Sequence, residues 1–204
     1  SLNIISKNAS TVGSFDLGLY KTEDGSNKVL EELENNKFEI VYLLGQDSLR
    51  FKKKNEFIIY QGSHGDKGAE IADIILSGAA YTEQNGYFTN LEGKLQKAYK
   101  ASYPPEDAKE DWLIINELAE VMNHRKLFND KEELDSSLIN YLNLYIEKNN
   151  SKKPSDIKDL DFDKEMLKIE NEDYYNSNVI ARASKTMNEC KSSKKNLNTA
   201  SIKS

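Results

Sequence analysis

The sequence has few of the residues that form disulfides, metal centres and tight turns. Its 204 residues include one cysteine, Cys190, together with two histidines and three prolines. A single cysteine excludes an intramolecular disulfide, and it excludes a cysteine metal site supplied by this chain alone. We therefore predict a free thiol, as is usual in a reducing compartment.

Long apolar runs and an excess of basic residues are also absent. No run approaches the ~20 apolar residues that a membrane-spanning helix needs, so we predict no direct membrane insertion. The formal net charge is −6, and the lysine clusters are interleaved with acids. This balance predicts no nucleic-acid partner.

Charged residues make up 30% of the sequence and hydrophobic residues 38%. This proportion suggests that part of the chain is solvated or docks on a partner. The sequence opens on Ser1-Leu2 rather than on methionine, and we expect it to be a piece of a longer protein.

The first half of the chain alternates helical and strand patterns. Residues 1–26 have little regular pattern, and residues 28–36 are predicted to form a short helix that begins at Asn27 as N-cap. The nearly continuous apolar run 38–44 is typical of a buried parallel strand, and residues 57–60 form the next strand. Between them, the basic segment up to Asn55 is an exposed turn or a helix. This order predicts an α/β fold with a parallel sheet.

Residues 57–97 are the most informative stretch. The strand 57–60 leads into a loop punctuated by Gly62, Gly65 and Gly68, and then into a second apolar run at 71–76. A polar, turn-rich arm follows at 81–93. This stretch is either a loop at a cofactor-binding edge or a structural hairpin on an α/β domain.

The second half of the chain is predicted to contain helices and then a tail. Apolar residues at spacings of three and four predict helices over 106–123, with Pro105 just before the first turn, and over 131–148. Beyond Pro154 the sequence is polar with isolated apolar anchors, and from Ser192 its composition is typical of disorder.

The candidates for chemistry do not combine into a site. His64 follows Ser63 in the glycine loop, but neither residue has a readable partner of the kind that a catalytic triad requires. The glycines do not match the dinucleotide-binding fingerprint. His124 is expected to interact favourably with a helix carboxyl end. We therefore predict no catalytic, cofactor-binding or metal-binding residue in this chain.

A resemblance to a known family rests on several motifs in the same order. Residues 60–83 (YQGSHGDKGAEIADIILSGAAYTE) and 85–93 (NGYFTNLEG) resemble the large iron–sulfur subunit of respiratory complex I, and the loop is shared with the wider molybdopterin oxidoreductase superfamily. Further matches are VGSFDLG at 12–18, EDW at 110–112 and IARASKTM at 180–187, followed by Cys190. Ser77 departs from the proline that relatives often have.

The resemblance implies a carboxyl-terminal piece: a parallel-sheet segment of a molybdopterin-oxidoreductase-like domain, then helices and an extended polar tail. We expect boundaries at 1–124 for the α/β part, 125–150 for a helical extension and 151–204 for a partly disordered tail. The family implies 2Fe-2S and 4Fe-4S clusters for the full-length subunit. Their cysteine and histidine ligand motifs cannot be placed here, so we expect no cofactor in this piece.

In this family the domain is taken to have lost its pterin and to act as a scaffold. The implied partners are other subunits of the peripheral arm of complex I, on the cytoplasmic or matrix side of the inner membrane. The tail either orders on a partner surface, with Arg182, Tyr174 and Tyr175 as the residues to test for contact, or stays frayed and mobile.

Two alternatives remain open at this stage. The chain is a fragment of a true molybdopterin-dependent oxidoreductase, with the loop 86–93 approaching the pterin, or it is a stand-alone interaction module.

Overall fold

Two sheets and seven helices make up the described part of the chain. In this computed structural model, residues 8–19, 25–46, 51–150 and 173–201 are described. The elements in chain order are α1 (Thr11–Asp16), α2 (Gly25–Glu34), β1 (Ile40–Leu44), β2 (Phe57–Gly62), α3 (Lys67–Ile71), β3 (Ile74–Ser77), β4 (Gly86–Thr89), β5 (Leu95–Ala98), α4 (Asp111–Asn123), α5 (Lys131–Asn150), α6 (Val179–Ala183) and α7 (Lys185–Ser201).

The main sheet is parallel, with the strand order β1-β2-β3. Leu43 pairs with Tyr60 and Tyr60 pairs with Ile75. The central strand β2 is the most buried: Ile58 is 0% exposed and Tyr60 is 2% exposed. Leu43, Ile58 and Tyr60 form the core, and side chains from α3 pack against it. The predicted α/β fold with a parallel sheet is confirmed.

The second sheet is the antiparallel hairpin β4–β5, in which Phe88 pairs with Gln96. Polar contacts of Asp135, which we call the joint, attach the hairpin to α5. The Asp135 carboxylate on α5 accepts a hydrogen bond from Lys97 Nζ at 2.8 Å and another from the Tyr87 hydroxyl at 3.3 Å. Lys131 Nζ lies 3.1 Å from the other oxygen of the same carboxylate. The sequence does not decide between a loop at a cofactor-binding edge and a structural hairpin. In the structure this arm forms a hairpin.

The turn between α4 and α5 is organised by a buried asparagine. Asn116, 5% exposed, accepts hydrogen bonds from the backbone N–H groups of Leu127 and Phe128 at 2.7 and 3.0 Å. Its Nδ2 donates to the carbonyl of Phe128 at 2.9 Å. His124 ends α4 as a left-handed C-cap with φ 58°.

Four sequence predictions differ from the structure. A helix that the sequence does not predict, α1, lies within residues 1–26. The helix predicted at 28–36 begins earlier, so Asn27 lies inside α2 and is not its N-cap. The helix predicted from 106 begins at Asp111, because Lys109 instead pairs with Gly78 beside the sheet.

The last of the four concerns the tail, where α6 and α7 make residues 179–183 and 185–201 helical rather than extended or disordered. Residues 151–172 and 202–204 of the expected tail lie outside the described residues. Within the described part of the chain, no helix is both long enough and apolar enough to span a membrane.

Candidate functional site

A cleft lies where β2 and β3 end. Parallel strands bring their carboxyl ends to one edge of the sheet, which is where α/β proteins bind ligands. The cleft has a volume of about 600 Å³. Its polar and ionisable lining residues are Tyr60, Ser63, His64, Ser77, Glu83, Glu106 and Asp107.

A buried polar network lies at this edge of the sheet. Gln61, the next-to-last residue of β2, is 0% exposed. Its Nε2 donates to Asp111 Oδ1 at 2.7 Å, and its Oε1 accepts from the Tyr42 hydroxyl. Gln84 Nε2 donates to the second oxygen of Asp111 at 2.8 Å, while the Asp111 backbone N–H donates to Gln84 Oε1 at 3.1 Å. The network joins β1, β2, the start of α4 and the arm before β4.

Burial, and secondarily the negative charge of Asp111, raises the pKa of the Tyr42 hydroxyl above its ordinary value. Both causes disfavour the phenolate. Tyr42 therefore remains a hydrogen-bond donor to Gln61 at neutral pH. Each of these donors therefore has an acceptor within the network, as buried polar groups require.

Two glycines at the cleft are needed because other side chains fill the space beside them. A Cβ on Gly78 would lie 2.7 Å from Asp111 Oδ1, and a Cβ on Gly62 would lie 2.7 Å from Cζ of Tyr60. The space beside each of these two glycines is therefore filled by a side chain of the same chain. These two positions leave no open cradle for a phosphate, whereas a Cβ on Gly65, which also lines the cleft, would meet no atom within 4 Å.

Ser63 and His64 are adjacent and within hydrogen-bond distance, but among the described residues no acidic side chain is bonded to the imidazole, as a catalytic triad requires. Ser63 Oγ lies 3.0 Å from His64 Nδ1, and Ser63 is exposed. The backbone carbonyl of His64 accepts a hydrogen bond from the Tyr60 hydroxyl at 2.9 Å, which fixes the loop rather than the imidazole.

The loop ends at Asp66, which meets the last part of the chain. Asp66 is the N-cap of α3, and its Oδ1 accepts from the Lys67 backbone N–H at 2.9 Å. Its Oδ2 lies 2.5 Å from Nε of Arg182 on α6. The hydrogen bond from Arg182 is the main cause that holds the pKa of Asp66 below its ordinary value, although burial opposes it. Arg182, which the sequence predicts to contact a partner protein, forms this ion pair within the chain, and the contact with a partner stays a prediction.

Sequence reasoning missed the network of Tyr42, Gln61, Gln84 and Asp111. One signal was present, because Gln61 is a polar residue that continues an apolar β-prone run. The carboxylate that completes the network comes from a position 50 residues further on.

This fold and cleft define an α/β protein of the class that carries ligands, or the remnant of a ligand site, at the carboxyl edge of a parallel sheet. The family model for molybdopterin oxidoreductases matches residues 1–121. A second family model, that of the C-terminal region of the NADH-ubiquinone oxidoreductase G subunit, matches residues 143–190. The chain belongs to the molybdopterin oxidoreductase family.

Curated relatives are similar over most of the chain. The NADH-ubiquinone oxidoreductase 75 kDa subunit of Reclinomonas americana is 37% identical over 93% of this chain and 28% of its own length. The NADH-quinone oxidoreductase G subunit of Rickettsia bellii is 40% identical over 98% of the chain and 29% of its own length. The mitochondrial NADH-ubiquinone oxidoreductase 78 kDa subunit of Candida albicans is 41% identical over 63% of the chain and 17% of its own length.

The resemblance predicted from the motifs is confirmed. The chain spans less than a third of the length of these relatives.

The residues at the cleft do not fit the pterin cofactor that gives the family its name. That cofactor carries a phosphate, which proteins bind with arginine, lysine or free backbone N–H groups. The ionisable residues lining the cleft include His64, Glu83, Glu106 and Asp107, and three of these are carboxylic acids. Among the described residues, no lysine or arginine lines this cleft. The charge of the lining therefore opposes a phosphate.

Proposed function

We propose that this chain is a structural segment of the large iron–sulfur subunit of an NADH:quinone oxidoreductase. In this proposal, electron transfer from NADH through flavin and iron–sulfur clusters to quinone belongs to the longer protein and its complex. The observation that carries the proposal is the pair of colinear family matches. Residues 1–121 match the molybdopterin oxidoreductases, and residues 143–190 match the C-terminal region of the NADH-ubiquinone oxidoreductase subunit.

The cysteine content supports a non-catalytic role for this segment. Iron–sulfur clusters are held mainly by cysteine thiolates, commonly four to a cluster. Cys190 is the sole cysteine of the sequence, and it is exposed on α7. The polar groups of Gln61, Gln84 and Asp111 beside the cleft are bonded to one another, which is typical of a structural network.

The partners we propose are other subunits of the peripheral arm, on the cytoplasmic or matrix side of the inner membrane. Tyr174 is 80% exposed and packs edge-to-face on Tyr175, with 5.4 Å between ring centroids. An exposed, preoriented tyrosine is a suitable anchor for a protein interface. We also propose the division of the chain at residues 124 and 150.

Replacement of Cys190 tests the absence of a cluster ligand. In the purified respiratory complex, Cys190→Ser should leave every iron–sulfur signal in the electron paramagnetic resonance spectrum unchanged. Loss of one signal would make Cys190 a ligand and contradict the proposal.

A second test separates a structural role from a catalytic one. Asp111→Asn weakens the network at the cleft, so we expect less assembled complex in the membrane but unchanged NADH:quinone turnover per assembled complex. Reduced turnover in a normally assembled complex would indicate that the site takes part in the reaction.

The family match over residues 1–121 favours one other candidate, a molybdopterin-dependent oxidoreductase. Molybdenum and pterin analysis of the full natural protein distinguishes the two. We expect neither in stoichiometric amount, and one molybdenum per polypeptide with its pterin would establish the alternative.

A further inference from the structure

The last described part of the chain is held together by its own polar contacts. We call residues 173–194 the strap. Lys191 forms an ion pair with Asp173, and Asn176 Nδ2 donates to Asn188 Oδ1 at 3.0 Å. Asn188 Nδ2 in turn donates to the backbone carbonyl of Arg182 at 2.9 Å. These bonds connect the residues before α6 to α7, so the strap is expected to move as one unit.

The helices of the strap are intrinsically weak. Isolated helices shorter than roughly 12–15 residues are marginal in water, and α6 has only five residues. The sequence of α7, KTMNECKSSKKNLNTAS, is rich in Asn, Ser and Thr, which are poorer helix formers than Ala, Leu or Glu. The order of the strap must therefore depend on contacts with the rest of the molecule.

The ion pair between Arg182 and Asp66 supplies such a contact. The two atoms lie 2.5 Å apart, and the side chains are 29% and 17% exposed. The same carboxylate caps α3 through the Lys67 backbone N–H. Asp66 therefore fixes both the start of α3 and the position of α6.

We propose that the strap is a detachable element of the chain that is fastened to the glycine-rich loop 62–66 through Arg182 and Asp66. Fastening orders α6 and α7 and holds the loop at the mouth of the cleft. Detachment leaves the α/β sheet intact, because the pairing of β1, β2 and β3 involves no residue of the strap. The docking surface is thus the loop, and its occupant is α6 of the same chain.

Hydrogen exchange measured by mass spectrometry on the full natural protein tests this directly. Asp66→Asn removes the charge but keeps a side chain that is equally good as an N-cap, so α3 is preserved. We expect the amides of residues 179–194 to exchange about fivefold faster in Asp66→Asn and in Arg182→Gln, the upper range for a partly exposed ion pair. Arg182→Lys keeps the positive charge but loses the planar guanidinium group. Its exchange rate at residues 179–194 should lie between those of the wild type and Arg182→Gln.

Salt provides a readout that simple loss of packing would not change. Raising NaCl from about 0.05 M to about 0.5 M shortens the screening length several-fold, so exchange in the native strap should approach that of Asp66→Asn. Asp66→Asn should respond less to salt, through the Lys191–Asp173 ion pair that it retains. Lys185→Gln is the matched control, because Lys185 is 90% exposed and lies 3.9 Å from Glu189 within α7.

Three results would each overturn the proposal. One is unchanged exchange at residues 179–194 in both Asp66→Asn and Arg182→Gln. Another is an increase of equal size in α4, which would indicate general destabilisation. The third is an equal effect of Lys185→Gln.

Discussion

Gly78 is a residue at which one added methyl group should disturb the site. Its Cβ would lie 2.7 Å from Asp111 Oδ1, the atom that accepts the hydrogen bond of the buried Gln61 amide. We predict that Gly78→Ala lowers the free energy of unfolding by about 2 kcal/mol, the usual range for overpacking. Chemical denaturation measures this change.

Gly86→Ala is the control for that substitution. A Cβ on Gly86 meets no atom within 4 Å, so this variant should change stability by less than about 1 kcal/mol. Equal effects of the two variants would mean that the contact with Asp111 has no energetic importance.

Asn116 is a second residue with a large expected effect. Asn116→Leu leaves two backbone N–H groups and one carbonyl of the α4–α5 turn without their partner. Because unsatisfied buried polar groups cost roughly 1–3 kcal/mol each, we predict a loss of about 3 kcal/mol in the free energy of unfolding. Asn123→Leu, at an exposed position at the end of α4, should cost under about 0.5 kcal/mol. A small loss for Asn116→Leu would show that water replaces the amide.

At the scale of elements, the hairpin β4–β5 and α5 are joined by charges. The hydrogen bond to Asp135 is the main cause that raises the pKa of Lys97 to about 12, and Tyr87 adds to it. The folded-state pKa of Lys97 is above the usual 10.5, so at neutral pH and up to pH 10.5 the ion pair contributes its full stability, which is lost as pH rises through about 12. The pKa of Asp135 is lowered, so the same ion pair is also lost at acidic pH, when Asp135 becomes protonated.

We predict that Asp135→Asn lowers the Lys97 pKa from about 12 towards 10.5, which NMR of the lysine side chain can follow. Glu132→Gln is a matched control, because Glu132 lines a cavity that Lys97 and Asp135 also line, but it is not among the causes of the Lys97 pKa shift. A Lys97 pKa that stays near 12 without the Asp135 charge would refute this account of the joint.

The elements that the sequence predicts well are those with long, uniform patterns. The apolar runs that form β1 and β2 are typical of parallel strands, and the apolar spacing of α5 defines a helix. The sequence places the start of α4 too early because Pro105 is tolerated in a first helical turn. A long-range contact instead determines where α4 begins, because Lys109 pairs with Gly78. Short-range rules contain no information about such a partner.

The candidate site is less predictable than the fold for the same reason. The loop with Ser63 and His64 attracts attention because these residue types are common in catalysis. The bonded set, in contrast, is drawn from four separate segments at Tyr42, Gln61, Gln84 and Asp111. The sequence does not predict α7 because its composition favours disorder, and composition alone contains no information about docking.

At the scale of the whole molecule, the parallel sheet has two edges that are incompletely covered. Ile40 on β1 is 64% exposed and Ile75 on β3 is 56% exposed. Exposed apolar edge strands promote association. We predict that residues 1–204 expressed alone self-associate, and that Ile40→Lys together with Ile75→Lys increases the monomer fraction.

Sedimentation velocity measures the monomer fraction. Val121→Lys, at a 76% exposed position on α4, is the control and should have little effect. A monomeric wild-type chain would show that these edges are not association sites.

The register of the parallel sheet has a consequence for how the protein is made. Ile40 faces Phe57, and Ile59 faces Ile74, so each strand pairs with one that follows it within a short length of chain. Parallel sheets with distant partners fold slowly, whereas local pairing lowers the entropic barrier to closure. All three strands are available for pairing once Ser77 has been translated, whereas the buried Gln61 of β2 must wait for Asp111. The contact between Asp66 and Arg182 forms only when translation has added more than a hundred further residues.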